Sequence, residues 1–386
     1  MTATVRKPER TRSRTWSIVS RHPYSKIVET LDAQLQSNAR IPQAIQYLSG
    51  KLSTLESVTE PRLEASILMS VALNEPRDAL ITNYNRILTE VERQRLENVL
   101  LERLKEKPVP YISGVKEFYG RSFFVSKDTL IPRPATETLV SESLNAIQAY
   151  FQDRPFVPLS GSSNSSPVEI SPLNLLELGV GSGCVIMSMI SELNPSSSSF
   201  SAPSSSNNVS PSATSPSSSL PHVFSRKWLG TGVDKSKGAL TVSERNARFH
   251  HVDHLIQFYE SDWLEDLVGR HGVRTKWDVV VSNPPYLTKW DWDTAPKIMR
   301  DFEPSTAFLG GDDGLDCYRD IHRQLPHVLE PGALVCLEIG AWQEESVVDI
   351  FKPDFSLLRK AKDMDGYMRV LIFKFAGQHL KAKEVM

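Results

Sequence analysis

Apolar residues recur at helical spacing in the first part of the chain. Between about residues 27 and 107 they lie three or four positions apart. Positions with this spacing include Leu63, Ile67, Leu68, Val71, Leu96, Val99, Leu100 and Leu104. One face of an α-helix repeats at the same interval. The pattern predicts an N-terminal helical domain over residues 27–108.

The period changes over residues 109–132, where aromatic and β-branched residues lie among Gly114 and Gly120. The residues of this kind are Tyr111, Ile112, Phe118, Tyr119, Phe123, Phe124 and Val125. Short apolar runs separated by glycine are typical of hairpins. We predict one or two β-hairpins that link the helical domain to residues 133–377.

Short β-forming runs alternate with helical patterns from Leu173 onward. This alternation indicates an α/β fold, an open sheet with crossover helices. The predicted strands lie near residues 175–178, 229–233, 256–259, 278–282, 334–338 and 369–375.

Two segments interrupt the α/β pattern, at residues 160–172 and 195–221. Both are rich in Ser and Pro and have almost no large apolar side chains. Such a composition does not offset the entropy lost on ordering. We predict disordered insertions.

Composition narrows the class of protein. The chain has 386 residues, of which 40% are hydrophobic, so two domains with buried cores are expected. With a formal net charge of −2, the chain lacks the overall positive field that attracts nucleic acid to strongly basic proteins. The three widely spaced cysteines suggest a reducing compartment and packing roles. No apolar run reaches the ~18–20 residues of a membrane span, so no membrane partner is predicted.

The N-terminus is basic. Residues 1–26 hold several Lys and Arg among Ser and Thr, and Glu9 is their only acid. This composition resembles an organelle transit segment, and a disordered basic tail is the alternative.

The first candidate site follows the strand at residues 175–178, where Gly179, Gly181 and Gly183 precede a helical run. Glycines let the backbone approach a ligand closely, and the helix start offers free N–H groups. The third glycine comes four residues after the first instead of five, which departs from the dinucleotide fingerprint. A nucleoside-type ligand is favoured over a tight structural turn.

Acidic residues end the next two strands. Asp234, with the Ser/Pro-rich insertion discounted, lies roughly two dozen residues after Gly179, near the ~20 expected of a ribose-binding acid. The alternative is a helix N-cap for the run that begins at Ser236. Further on, Asp262 and Trp263 could bracket an adenine by hydrogen bonding and stacking, or form a surface turn.

The most informative segment is an apolar strand that ends in Asn283, Pro284, Pro285 and Tyr286. Ligands of doubly wound folds bind beyond such strand ends. Proline has no N–H, so local carbonyls face the pocket without a competing donor. The segment offers two acceptors, the Asn283 side-chain oxygen and the Pro284 carbonyl, beside the face of Tyr286. A plain β-turn is the alternative, although this composition is unusual for one.

An NH2 group on a planar system suits these acceptors. Its nitrogen is a poor nucleophile because the lone pair is delocalised. Two acceptors can hold both N–H bonds and turn the lone pair towards a methyl donor, while water is excluded. The sequence predicts methyl transfer with Asn283, Pro284 and Tyr286 as catalytic residues.

With these residues, the chain resembles the HemK/PrmC family of release-factor glutamine methyltransferases from about Ile27 to Phe375, apart from the insertions. Further motifs that carry the resemblance are residues 108–114, 130–137, 303–304, 307–311, 313–315 and 338–340, Gln343, residues 365–366 and Arg369. Ala135 stands where the family usually has an acid, and Glu177 where it often has Asp.

The resemblance implies a class I S-adenosylmethionine-dependent methyltransferase fold with a Rossmann-like seven-stranded sheet. It implies that the small helical domain of residues 27–108, joined to this fold by a β-hairpin, is a substrate-recognition domain that helps to bind the release factor. It implies N5-methylation of the Gly-Gly-Gln glutamine of a peptide chain release factor, without a metal. The implied cofactor contacts are Glu177, Gly179, Gly181, Gly183, Asp234, Asp262, Trp263 and Asn283. The implied substrate contacts are Asn283, Pro284, Pro285, Tyr286 and Arg133. The long form of the family together with the basic N-terminus favours mitochondria over the cytoplasm.

Two other functions remain as alternatives. One is a DNA or RNA methyltransferase that acts on adenine N6 or cytosine N4, because the exocyclic NH2 groups of these bases are equally poor nucleophiles. No basic target-recognition domain is evident in the sequence. A binding module that holds cofactor without turnover is the non-enzymatic alternative.

Overall fold

The computed structural model describes residues 38–151, 171–195, 226–270, 272 and 274–377. The predictions for residues 1–26 and for nearly all of 160–172 and 195–221 lie outside the described residues. The chain divides into two compact units between Glu106 and Lys107. Among the described residues, no helix combines the length and apolarity needed to cross a bilayer.

The described part of the first unit is helical, which confirms the predicted helical region. Its helices are α1 (Ile41–Leu52), α2 (Pro61–Leu73), α3 (Arg77–Thr82) and α4 (Glu90–Leu104). Leu48, Leu68 and Leu100 are fully buried, and each such side chain contributes roughly 1.5–3 kcal/mol on leaving water. Helix α4 begins at a capping box, in which Thr89 and the Glu92 side chain each accept from the other's backbone N–H.

The second unit begins with a short helix, so the predicted hairpin region is narrower than expected. Helix α5 (Val109–Ser113) precedes a single hairpin of β1 (Val115–Phe118) and β2 (Arg121–Phe124). The prediction of strand at Tyr111 and Ile112 is wrong. Proline near the start of α5 suits a first helical turn, and Gly114 ends it with a φ of 74°.

One sheet forms the centre of the second unit. Its strands are β3 (Leu173–Leu178), β4 (Trp228–Asp234), β5 (Ile256–Glu260), β6 (Trp277–Ser282), β7 (Leu329–Glu338), β8 (Phe355–Lys362) and β9 (Met368–Phe375). Their order is β5-β4-β3-β6-β7-β9-β8; β3 to β7 are parallel and β9 is antiparallel to both of its neighbours. The predicted seven-stranded Rossmann-like sheet is confirmed.

Helices connect and cover these strands. They are α6 (Pro134–Phe151), α7 (Cys184–Leu193), α8 (Lys237–Phe249), α9 (Glu265–Gly269), α10 (Lys289–Thr294), α11 (Lys297–Phe302), α12 (Asp316–Gln324) and α13 (Glu344–Phe351). Strand β6 is buried on both faces, because Val279 and Val281 belong to one apolar cluster and Val280 to the other. A strand covered on both sides is apolar throughout rather than alternating.

The order of the strands places a crevice between β3 and β6. After β3 the chain moves to β4 on one side, and it later returns to β6 on the other side of β3. Ligands of open α/β sheets bind where the order reverses in this way, beyond the carboxyl ends of the strands. Gly179 and Asn283 follow β3 and β6 at this position.

Candidate functional site

The glycine-rich turn after β3 has left-handed backbone at three positions. Gly179, Gly181 and Gly183 have φ values of 73°, 53° and 78°. At Gly183 the positive φ favours glycine, whereas an added Cβ would meet only the flexible end of the Met187 side chain. Gly179 and Gly181 line a cleft of about 720 Å³, whereas Gly183 does not. The predicted contacts of the three glycines with cofactor stay predictions.

Helix α8 anchors the turn from behind. Ser243 Oγ donates to the Gly181 carbonyl at 2.8 Å, and Asn246 Nδ2 donates to the Ser182 carbonyl at 2.8 Å. Asn246 also exchanges hydrogen bonds with the backbone of Phe124 in the hairpin. Both anchors are fully buried polar residues. Sequence reasoning missed them, and their only signal was polarity on a face that is otherwise apolar.

Asp234 links the turn to the end of β4. Its Oδ2 accepts from the Gly181 N–H and its Oδ1 from the Ser236 N–H, each at 2.9 Å. Ser236, rather than Asp234, caps α8, because its hydroxyl accepts from the Ala239 N–H. Burial raises the pKa of the Asp234 carboxyl, which lines the cleft. Each carboxylate oxygen can accept a further hydrogen bond, so the pair suits two vicinal hydroxyls.

Glu177 lies beneath the turn instead of in the cleft. It is 3% exposed, and its Oε2 accepts from the Ile186 N–H at 2.9 Å, near the start of α7. Burial raises its pKa well above the usual value for glutamate. The structure thus gives Glu177 the role of joining β3 to α7, and its predicted contact with cofactor stays a prediction.

Asp262 and Trp263 also line the cleft. Trp263 has a φ of 49°, which is uncommon for an aromatic residue and is found where function requires it. The next residue fixes this turn, because the Leu264 N–H donates to Gln324 Oε1 at 2.8 Å. A Cβ built on Gly179 would lie 4.0 Å from the indole, so the ring faces the glycine turn.

These groups fit the cofactor that the family resemblance implies. The glycine turn leaves room for close approach, Asp234 offers acceptors to ribose hydroxyls, and Trp263 offers an aromatic face to a base.

A second pocket, of about 510 Å³, adjoins the first. It is lined by Leu130, Arg133, Asn283, Tyr286, Leu287, Met299, Ala307, Phe308 and Glu338. Asn283 lines both spaces, as do Leu130 and Ala307. The Asn283 side chain therefore stands at the junction between the cofactor cleft and this pocket, which we call the amide pocket.

The Asn283 carboxamide has a fixed orientation. Its Nδ2 donates to Thr136 Oγ1 at 3.1 Å, and the amide lies near enough to the Glu338 carboxyl to lower the pKa of that group. A carboxylate can only accept, so the NH2 side of the amide must face Glu338. No described residue donates to Asn283 Oδ1. That oxygen is the acceptor left for a ligand in the amide pocket.

Glu338 is the residue on which these contacts converge, and sequence reasoning gave it no role. It ends β7, is 2% exposed, and accepts from the Tyr286 hydroxyl at 3.4 Å. Burial raises the pKa of its carboxyl to about 7, although Thr136, Arg369, Tyr286 and Asn283 oppose that rise. Burial and the Glu338 charge likewise raise the pKa of the Tyr286 hydroxyl.

The backbone after Asn283 is held by a neighbouring loop. Gln343 Nε2 donates to the Tyr286 carbonyl at 3.1 Å, and Leu287 exchanges hydrogen bonds with Phe308 and Gly310. At Gly310 a Cβ would lie 2.6 Å from the Pro285 carbonyl, so the approach requires glycine. Pro285 lines the cofactor cleft, whereas Pro284 is buried and lines neither space. The predicted acceptor role of the Pro284 carbonyl stays a prediction.

Arg133 lines the amide pocket, as predicted for a substrate contact. Its guanidinium pairs with the buried Glu303, which also accepts from the Ile131 N–H at 3.1 Å. Charge-assisted bonds of this kind hold both partners in one geometry.

The cysteines are free: Cys184 and Cys336 are buried and Cys317 is half-buried.

Similarity to known proteins covers both units. Residues 43–114 match the family model for the PrmC N-terminal domain. The chain is 29% identical over 332 residues to a release factor glutamine methyltransferase of Geobacter sulfurreducens, covering 86% of this chain and 95% of that protein. It is 33% identical over 345 residues to a bifunctional methyltransferase of Rickettsia felis, covering 86% of this chain. The chain spans only 58% of that longer relative.

Among solved structures, a methyltransferase from Pyrococcus furiosus is similar with a TM-score of 0.39 and 14% identity. The match covers 72% of this chain and 98% of that one.

Proposed function

Because the chain belongs to the HemK/PrmC family of release-factor glutamine methyltransferases, we propose that it methylates N5 of the Gly-Gly-Gln glutamine of a peptide chain release factor. S-adenosylmethionine is the proposed methyl donor. The observation that carries the proposal is the position of Asn283, which lines both the cofactor cleft and the amide pocket and whose Oδ1 accepts from no described residue.

The proposed mechanism relies on position rather than on a strong base. When bound, S-adenosylmethionine supplies an electrophilic methyl group on a sulfonium. Asn283 Oδ1 accepts one N–H bond of the substrate amide, and the Pro284 carbonyl is the proposed acceptor for the other. Tyr286 packs against the planar group and helps to exclude water. Together these contacts turn the nitrogen lone pair towards the cofactor cleft, where alignment lowers the barrier.

Direct product mapping tests the proposal. We expect the chain without residues 1–26 to transfer label from S-adenosylmethionine to an intact release factor, with one added methyl on the Gly-Gly-Gln glutamine by mass spectrometry. A factor with that glutamine changed to alanine is the matched control. Label on DNA or RNA but not on the factor would instead support a nucleic-acid amino-methyltransferase.

Asp234 provides a prediction for cofactor binding. We expect Asp234→Ala to weaken binding of S-adenosylmethionine by about 10²-fold, because hydrogen bonds to a charged group contribute ~1.5–3 kcal/mol each. Isothermal titration calorimetry measures the change. Asp128 lines the same cleft, and Asp128→Ala should have a much smaller effect. Equal losses in the two variants would contradict the assigned role of Asp234.

The proposed site of action is the mitochondrion, with the cytoplasm as the alternative. Support comes from the basic, Ser- and Thr-containing composition of residues 1–26. A fluorescent reporter fused to these residues should enter mitochondria, and a reporter that stays in the cytosol would refute import by this segment.

A further inference from the structure

A glutamine side chain just before α13 joins three loops beside the amide pocket. Gln343 Nε2 donates to the Tyr286 carbonyl and to the Gly314 carbonyl, each at 3.1 Å. Its Oε1 accepts from the Gly340 N–H at 2.9 Å. Both N–H bonds and the carbonyl of one carboxamide are therefore engaged with main chain.

The loop that carries Gly314 comes very close to the turn that Gln343 holds. A Cβ built on Gly314 would lie 2.4 Å from the Tyr286 carbonyl oxygen and 2.7 Å from Gln343 Nε2. Gly314 also has a φ of 74°, in the region that favours glycine. Both the conformation and the close approach therefore require glycine where Gln343 joins this loop to Tyr286.

Tyr286 is held at both ends by residues that end or follow β7. Its hydroxyl donates to Glu338 at 3.4 Å, and its carbonyl accepts from Gln343. The ring between them lies near Gly340, where a Cβ would be 3.4 Å from Cδ2 of the tyrosine. Contacts at both ends restrict the position of the ring, which lines the amide pocket.

Two residues of the same turn have no N–H with which to anchor it. Pro284 and Pro285 cannot donate a main-chain hydrogen bond, because the proline ring takes the place of the N–H. The turn begins at Asn283, directly after β6, and at Tyr286 its carbonyl accepts from Gln343. Gln343 therefore holds the far end of the turn that carries Asn283.

We propose that Gln343 is a positioning residue for methyl transfer, which fixes the turn from Asn283 to Tyr286 against the substrate amide. The proposal rests on the proposed function, since it concerns the same reaction. Gln343 lines neither the cofactor cleft nor the amide pocket, so it touches neither reactant and acts through Tyr286. Displacement of the turn would move the Asn283 acceptor out of alignment and slow the chemical step.

A carboxamide is the group that these three partners require. Two carbonyls need two donors and one N–H needs an acceptor, and a carboxamide offers all of these on one planar group. A carboxylate at the same place could only accept, so it would oppose the Tyr286 and Gly314 carbonyls. A protonated carboxyl regains one donor.

The Gln343→Glu variant of the full chain makes this requirement measurable. At pH 8 we expect kcat for the release factor to fall about 10²-fold, because the carboxylate opposes both carbonyls and displaces the turn. At lower pH the introduced carboxyl is protonated, and its O–H donates to one carbonyl. The ratio of variant kcat to wild-type kcat should therefore rise about tenfold between pH 8 and pH 6. Use of the ratio removes the pH dependence that both proteins share.

Gln343→Met and Gln257→Glu are the control variants. Methionine has a similar length but neither donates nor titrates, so kcat should fall about tenfold, with a ratio to wild type that is the same at every pH. Gln257 is exposed on the edge strand β5, and the same chemical change there should leave kcat unchanged. Binding of S-adenosylmethionine, measured by calorimetry, should be retained in all three variants.

Hydrogen exchange gives a measurement that needs no substrate. The Leu287 N–H, which donates to the Phe308 carbonyl at 2.7 Å, directly follows the carbonyl that Gln343 holds. In Gln343→Met it should exchange about tenfold faster, because the turn has lost a hydrogen bond that anchors it.

Three results would overturn the proposal. They are unchanged exchange at Leu287, a kcat ratio for Gln343→Glu that stays constant between pH 8 and pH 6, and an equal loss of kcat in Gln257→Glu. A constant ratio would show that Gln343 acts only on stability. If the wild type does not methylate the release factor, the proposed function is wrong, and the exchange rate still decides whether Gln343 holds the turn.

Discussion

Asn283→Ala is expected to lower kcat/KM for methylation of the release factor by about 10²–10³-fold, the usual effect of removing one preorganised catalytic hydrogen bond. Binding of S-adenosylmethionine should be largely retained, because Asp234 and Trp263 line the cleft independently of Asn283. The physical reason for the loss is that Oδ1 of Asn283 would no longer hold the substrate nitrogen in line with the methyl group. Single-turnover kinetics and calorimetry separate the chemical step from cofactor binding.

Thr136→Val is the partner experiment for this prediction. Valine keeps the shape of threonine but removes the hydroxyl that accepts from Asn283 Nδ2 at 3.1 Å. The carboxamide then has one fewer contact to fix its orientation, and we expect a decrease of about tenfold in kcat, since small misplacements already slow enzymes strongly.

The Asn283→Ala variant would contradict its own prediction if it kept kcat within tenfold of wild type. Asn283 would then not be the group that positions the substrate amide.

Local sequence patterns were sufficient to predict a structural feature where one short segment determines it. The glycine turn, Asp234 and the run from Asn283 to Tyr286 each follow a strong β-strand pattern, and all of them lie at the carboxyl edge of the sheet. Strand order explains why they meet there. The family resemblance supplied the number of strands, which the local patterns did not.

Strand β8 was missed because its composition does not resemble a buried strand. It carries Arg359, Lys360 and Lys362, and most of its residues are exposed. An edge strand is commonly charged, since charge prevents pairing with another sheet edge. Its existence depends on pairing with β9, and such pairing between strands is not visible in local periodicity.

The contacts of the site could not be predicted because they join distant segments. Glu338 lies about fifty residues after Tyr286 in sequence, and Thr136 lies 147 residues before Asn283. The hydrogen bond between Glu177 and the backbone of α7 could not be predicted either, because it depends on how the helix packs against β3. Burial and the direction of a side chain are properties of the folded chain.

Methylation should also depend on pH through Glu338. Burial raises the pKa of this carboxyl to about 7, so above that value it is a carboxylate that accepts from the Tyr286 hydroxyl and whose charge Thr136 and Asn283 stabilise. Below that value it is protonated, and its own O–H competes with these donors. We therefore expect kcat/KM to rise with pH, with a midpoint near 7, and to fall about tenfold per pH unit below it, as for one essential ionisation. Rates from pH 5.5 to 8.5 measure this profile.

Glu338→Gln distinguishes this ionisation from a packing role. Glutamine has nearly the same shape but does not titrate in this range, and its NH2 opposes the NH2 of Asn283. We expect about tenfold lower kcat/KM at pH 8, in line with the loss of a well-oriented catalytic contact, and a profile that no longer depends on pH near 7. A purely structural role for Glu338 would lower activity by the same factor at every pH and keep the wild-type midpoint. A variant with that behaviour, or a flat wild-type profile, would show that the Glu338 charge does not orient Asn283.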